Sequence, residues 1–173
     1  MKKNYKKLIV FVAIFVIGFM FAILYLAWPL MTGSTHILKP RPVDPFDILR
    51  GQYITINYDI STVPNTIKLD EKDVGKIIYV SLEKDKDGIS KASGISLTKP
   101  MGDFIKGKIE EVDNEVFISY GIESFFFERD ANIPMRDLRV EVKISSSGQA
   151  RISNLLQNGE PIEIKYKEIA ITS

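Results

Sequence analysis

Two rhythms of hydrophobic and polar positions divide the chain. Residues 8–28 read LIVFVAIFVIGFMFAILYLAW, 21 residues without a charge, 14 of them Leu, Ile, Val or Phe. As a helix this run rises about 31 Å, the thickness of a bilayer's hydrocarbon core. At roughly −0.3 to −0.6 kcal/mol each, the 14 residues favour insertion by several kcal/mol. The pattern predicts a single N-terminal transmembrane helix. Beyond it the period drops to two. Along QYITINYDI, Ile54, Ile56 and Tyr58 fall on one face and Thr55, Asn57 and Asp59 on the other. Similar alternation marks residues 76–83, 104–112, 115–120, 122–127, 136–144 and 161–171, with weaker strands at 89–97 and 149–153. Residues 84–88 (KDKDG) and 145–148 (SSSG) read as hairpin turns, and Gly94 as a bulge or bend. Single turns are expected at 70–75 and 154–159.

Nine short strands without a convincing amphipathic helix predict an all-β domain, an antiparallel sandwich or a partly closed barrel. The expected division is a basic tail at 1–7, the anchor at 8–28, a Pro-punctuated stalk at 29–45 (Pro40, Pro42, Pro45) and the β domain at 46–173.

Charge sets the expected orientation. Lys2, Lys3, Lys6 and Lys7 precede the helix, and only Lys39 and Arg41 follow it closely. This excess keeps the N-terminus in the cytoplasm and sends the C-terminal domain across. Tyr25 and Trp28 suit the far interface, and Pro29 does not continue a helix. A cleaved signal is the competing reading, but signal h-regions are shorter, a cut after Ala27 puts Tyr25 at −3, and Thr32-Gly33-Ser34 is a weak site. Without cysteine, lipoprotein processing is excluded. Gly18 and Ala22 form a small-xxx-small pair of a kind common by chance.

From Leu30 onward the chain carries 19 basic and 22 acidic residues, a net charge of −3. That excludes a strongly basic nucleic-acid surface. Zero cysteines in a translocated domain leave packing alone to hold it.

Residues 42–58, PVDPFDILRGQYITINY, form the most specific string. It resembles the signature of the GDYXXLXY family, membrane-anchored bacterial proteins named for that motif and without an established biochemical activity. Gly51, Tyr53 and Tyr58 match the named positions, Ile56 stands for Leu, and Gln52 stands for Asp. Residues 106–109, 120–127 and 148–159 look similar to later parts of the family, while Arg129 departs from it. The resemblance implies one anchored domain in a bacterial envelope, working beside a polytopic membrane partner, and imports no reaction. The amide of Gln52 can hydrogen-bond but cannot serve as base or anionic ligand, which favours a structural role for the motif. Gly51 then permits a bend, and Tyr53 and Tyr58 bury their rings while partnering their hydroxyls.

Catalytic and metal chemistry find little support. One His and no Cys exclude the common zinc and copper sites. His36 reads as a solvated stalk residue, too remote to act as base in a Ser-His-Asp system. Asp85-Lys86-Asp87-Gly88 lacks the remaining ligands of a calcium loop. Glu110, Glu111, Asp113 and Glu115 cross a predicted turn and read as solvated. For a Ser/Lys hydrolase, Ser34 is the nearest candidate nucleophile. Phe125, Phe126 and Phe127 put rings on both faces of one strand, so either the fold covers both or one is an interaction surface. The expected role is a membrane-anchored, extracytoplasmic interaction or accessory module with no catalytic chemistry and no cofactor. Its expected partners are the bilayer, through residues 8–28, and a polytopic membrane protein, with no nucleic acid. The alternatives are a Ser/Lys-type hydrolase and an envelope small-ligand sensor.

Overall fold

The computed structural model describes residues 2–41, 53–126 and 137–162. Gly51, Gln52, Phe127 and the last expected strand beyond residue 162 lie outside them.

Among the described residues one α-helix, α1 (Lys2–Thr32), precedes eleven strands. These are β1 (Ser34–Leu38), β2 (Tyr53–Thr55), β3 (Thr62–Pro64), β4 (Ile77–Lys84), β5 (Ser90–Ser96), β6 (Phe104–Val112), β7 (Glu115–Ser119), β8 (Ser124–Phe126), β9 (Leu138–Ile144), β10 (Ala150–Gln157) and β11 (Glu160–Pro161). Within α1, residues 5–28 are long and apolar enough to cross a membrane, and among the described residues nothing buries the most apolar stretch. A helix that is apolar all round is either buried in a large core or crosses a membrane.

The strands form a five-stranded sheet, β3-β7-β6-β4-β5, a four-stranded sheet, β1-β9-β10-β11, and a two-stranded ladder, β2-β8, with every ladder antiparallel. Inward positions alternate as the sequence pattern predicts. Ile78, Val80 and Leu82 on β4 meet Val140, Val142 and Ile144 on β9 in one core. Burying each such side chain contributes about 1.5–3 kcal/mol, the only large stabilising source in a chain without disulfides. Sandwich and partial closure both apply, because the sheets meet at a corner. A parallel bridge joins Ile37 of β1 to Ile89 before β5, and the Lys106 N–H donates to the Gly148 carbonyl at 2.8 Å.

Two local expectations change, and a third holds. Of the expected stalk at 29–45, the described residues 29–41 do not form a linker up to the domain. The helix runs to Thr32, Gly33 alone follows, and Ser34–Leu38 is an edge strand paired with β9 from Ser34↔Ile144 to Leu38↔Val140. Leu38 is fully buried. Residues 154–157, expected as a turn, continue β10 past a bulge at Ser153. The bulge opposite Ser81 falls between Ala92 and Gly94, where the sequence placed it.

Gly148 shows how tightly the corner is built. Its φ is +83°, and an added Cβ would lie 2.6 Å from Phe104 Cε2 and 3.0 Å from the Lys106 backbone nitrogen. Gly88 also has positive φ, +75°, but open space around it. Gly148→Ala should therefore cost about 2–4 kcal/mol, from left-handed backbone strain plus overpacking, and Gly88→Ala only about 1–2 kcal/mol. Thermal unfolding of the full chain in detergent, followed by circular dichroism, measures both; equal losses would refute the close packing at this corner.

Candidate functional site

The two strings singled out in the sequence share one ladder. β2 begins at the motif residue Tyr53, which pairs with Phe126, while Ile54 pairs with Phe125 and Thr55 with Ser124. Among the described residues this ladder has no third strand. Pairing continues past it, the Ile56 N–H donating to the Glu123 carbonyl at 2.6 Å.

Ile56 and Tyr58 are buried in the core. The Tyr58 hydroxyl donates to the Ile122 carbonyl at 2.7 Å, and Tyr58 also bridges Pro40. Tyr120 does the converse, donating to the Ile60 carbonyl at 2.5 Å. The two phenols thus stitch the segment after the motif to the segment before β8. Burial, and secondarily the Glu123 carboxylate, push both far above the ordinary phenol range, so they remain neutral donors.

Beside them lies a cleft of about 250 Å³ bordered by Arg41, Tyr58, Glu110, Phe117 and Glu123 among others. Its charged groups already have partners. Arg41 donates to Thr62 Oγ1 at 3.1 Å and stands 3.7 Å from Asp59. Glu110 accepts from Ser119 Oγ at 2.6 Å, which with Lys108 outweighs desolvation and holds its carboxyl below the usual range. Glu123 accepts the Tyr120 N–H. This arrangement can anchor chain segments and present a shallow surface.

His36 occupies a different place from the one expected. It is 1% exposed, on the inner face of β1. Its Nδ1 lies 3.0 Å from Ser90 Oγ on β5 and its Nε2 3.1 Å from Ser34 Oγ. The Ser34 hydroxyl donates to the Ile144 carbonyl at 3.4 Å. Nε2–H then donates to Ser34, and the Ser90 hydroxyl donates to Nδ1. Asp103 Oδ2 stands 3.8 Å from Nε2.

A hydroxyl, an imidazole and a carboxylate thus come into line, as the sequence reading of a stalk histidine did not foresee. Ser90, the hydroxyl at one end of this line, is 2% exposed. Ser34 and Asp103 border a cleft of about 490 Å³ that His36 and Ser90 do not. The hydrogen bonds of Ser34 go to His36 and Ile144, while the Lys143 ammonium donates to Thr35 Oγ1 at 2.7 Å. The network ties one sheet to the other. Period two within STHIL, with His36 and Leu38 on one face, was the available signal; the run is too short to stand out.

Asp85 closes the hairpin before β5. Its carboxylate accepts from the Asp87 and Ile89 N–H groups and pairs with Lys91 at 3.0 Å. Among the described residues no group of three His, Cys, Asp or Glu side chains is placed to hold a metal.

The family described as GDYXXLXY protein matches the chain over residues 15–155. No curated protein and no solved structure matches it.

Burial lowers the His36 pKa, and Lys84 adds to the effect against the opposing pull of Asp103. Above about pH 6.5 the ring is neutral folded or unfolded. Below that, the unfolded chain takes the proton first, so stability falls until the folded ring also protonates. The expected slope below pH 6.5 reaches at most about 1.4 kcal/mol per pH unit. As the chain's one histidine, His36 should account for it. Melting temperatures between pH 7.5 and 5.5 should drop for the native chain and stay level for a folded His36→Gln variant; parallel curves would refute the assignment.

Proposed function

The chain belongs to the GDYXXLXY family, and we propose that within it this protein is a single-pass, N-in membrane protein of the bacterial envelope. Its extracytoplasmic β domain serves as a non-catalytic interaction module for a polytopic membrane partner. The observation that carries this reading is the ladder in which the family motif pairs with the phenylalanine strand, Tyr53↔Phe126 and Ile54↔Phe125. A short ladder without a third described strand suits recognition through an edge, where a partner's backbone and side chains both find contacts.

Two further features support it. The one-residue joint at Gly33 fixes the domain close to the anchor, so a partner embedded in the same bilayer is within reach. Of the two serines bonded to the imidazole, Ser90 is buried in the core and the Ser34 hydroxyl also bonds the Ile144 carbonyl, which weighs against hydrolysis. The four N-terminal lysines against Lys39 and Arg41 favour the N-in orientation.

Orientation is checked with single cysteines, since the chain has none of its own. Glu160→Cys should react with a membrane-impermeant maleimide on intact cells and Lys3→Cys only after lysis; the reverse pattern refutes the topology.

Partner capture from detergent-solubilised membranes should fall about 10- to 30-fold for Phe126→Asp, the loss typical of an aromatic hot spot. Undiminished recovery by a folded variant would remove this ladder as the contact. Labelling of Ser34 by a fluorophosphonate would favour the hydrolase reading instead.

A further inference from the structure

The joint between anchor and domain also determines what faces the lipid. From Leu8 to Thr32 the helix rises about 37 Å. The hydrocarbon core takes about 30 Å of that, and each headgroup layer adds about 5–7 Å. With Leu8 at the inner boundary, Thr32 lies at the outer edge of the far headgroup layer. Only Gly33 separates it from β1, so the near end of the β domain rests on the membrane surface.

That end is identifiable. Ser34 pairs with Ile144, which brings the turn 145–149 to the anchor. The crossover from β5 to β6 comes to the same place. Lys99, Met101, Gly102 and Asp103 line one cleft with Thr32, Ser34 and Ser146. Met101 is 97% exposed, more than any other large apolar side chain among the described residues. It stands between Pro100 and Gly102, whose φ of +82° turns the chain beneath it. The Lys99 ammonium lies 5.5 Å over the Phe104 ring, held at the cleft rim.

We propose that the β5–β6 crossover is a second membrane contact: Met101 enters the outer interface and Lys99 meets a lipid phosphate, fixing the tilt of the β domain on its anchor. This rests on the reading of α1 as membrane-spanning. The occupant is the bilayer that holds α1, because the cleft shares its rim with the last residue of that helix. Asp103 offsets Lys99 in charge, so the loop alone binds lipid weakly. The anchor supplies the missing affinity, since a tethered loop meets lipid at a high effective concentration. Lysine stems lying along apolar surface with the cation in the headgroups suit this depth.

The test uses the full chain in phosphatidylcholine–phosphatidylglycerol nanodiscs carrying nitroxide lipid near the headgroup, with an environment-sensitive fluorophore on single cysteines. The probe at Met101→Cys should be quenched at least about threefold more than one at Glu160→Cys, because Glu160 pairs with the far end of β10, about 23 Å of strand away from Ala150. Since an apolar probe could draw position 101 into lipid, a second reporter keeps Met101 native. A probe at Ser146→Cys should lose about half its quenching when Met101→Asp is added. Equal quenching at 101 and 160, or no change at 146, overturns the contact. A probe at Ile17→Cys, at the bilayer centre and read in nanodiscs with nitroxide at mid-acyl chain, separates the two ideas: quenched there while 101 is not quenched by the headgroup nitroxide, the anchor stands and the contact fails; unquenched there, both fail.

Discussion

Strand β1 is the constraint on which the rest of the molecule depends. It begins one residue after the anchor helix, forms an edge of the four-stranded sheet through β9, and reaches the five-stranded sheet through Ile37 and His36. Its inward residues are a buried histidine and a fully buried leucine. A polar side chain in such a place costs stability unless it is partnered. The hydroxyls of Ser90 and Ser34 partner both ring nitrogens. Among the described residues no buried side-chain polar atom lacks a hydrogen bond. The joint between the apolar helix and the β domain is therefore held by the core itself.

This arrangement gives the protein a definite geometry without cysteine. A domain on a flexible stalk samples many orientations above the membrane. A domain whose first strand continues almost directly from the anchor samples few. The two clefts then have different settings. One opens beside the helix end, where Thr32 and Ser34 meet the β5–β6 crossover. The other opens beside the motif segment, where Tyr58 and Glu123 lie. Both are open clefts rather than enclosed cavities.

The motif region joins to the core chiefly through backbone and phenol hydroxyls. Tyr58 and Tyr120 each donate to a carbonyl about sixty residues away in sequence, Ile122 and Ile60 respectively. Their rings contribute apolar area, and their neutral hydroxyls satisfy carbonyls that would otherwise be buried unpaired. The departure from the family pattern at Gln52 sits at the entrance to this region in sequence, outside the described residues.

Local regularities determined what was legible in the sequence alone. An uncharged run of membrane length identifies α1 because insertion depends on the summed transfer energies of contiguous residues. Alternation identifies β4, β6, β7 and β9, and the motif string identifies the family, because each signal is complete within a few consecutive residues. Tertiary structure alone decided the environment of His36, the membership of β1 and the pairing of β2 with β8. STHIL is short and mostly polar, so its period of two does not stand out; its meaning comes from Ile144, 110 residues beyond Ser34, and Ser90, 54 beyond His36. Which strands meet, and hence which polar groups find partners away from water, depends on how the whole core closes, and no short stretch of sequence carries that information.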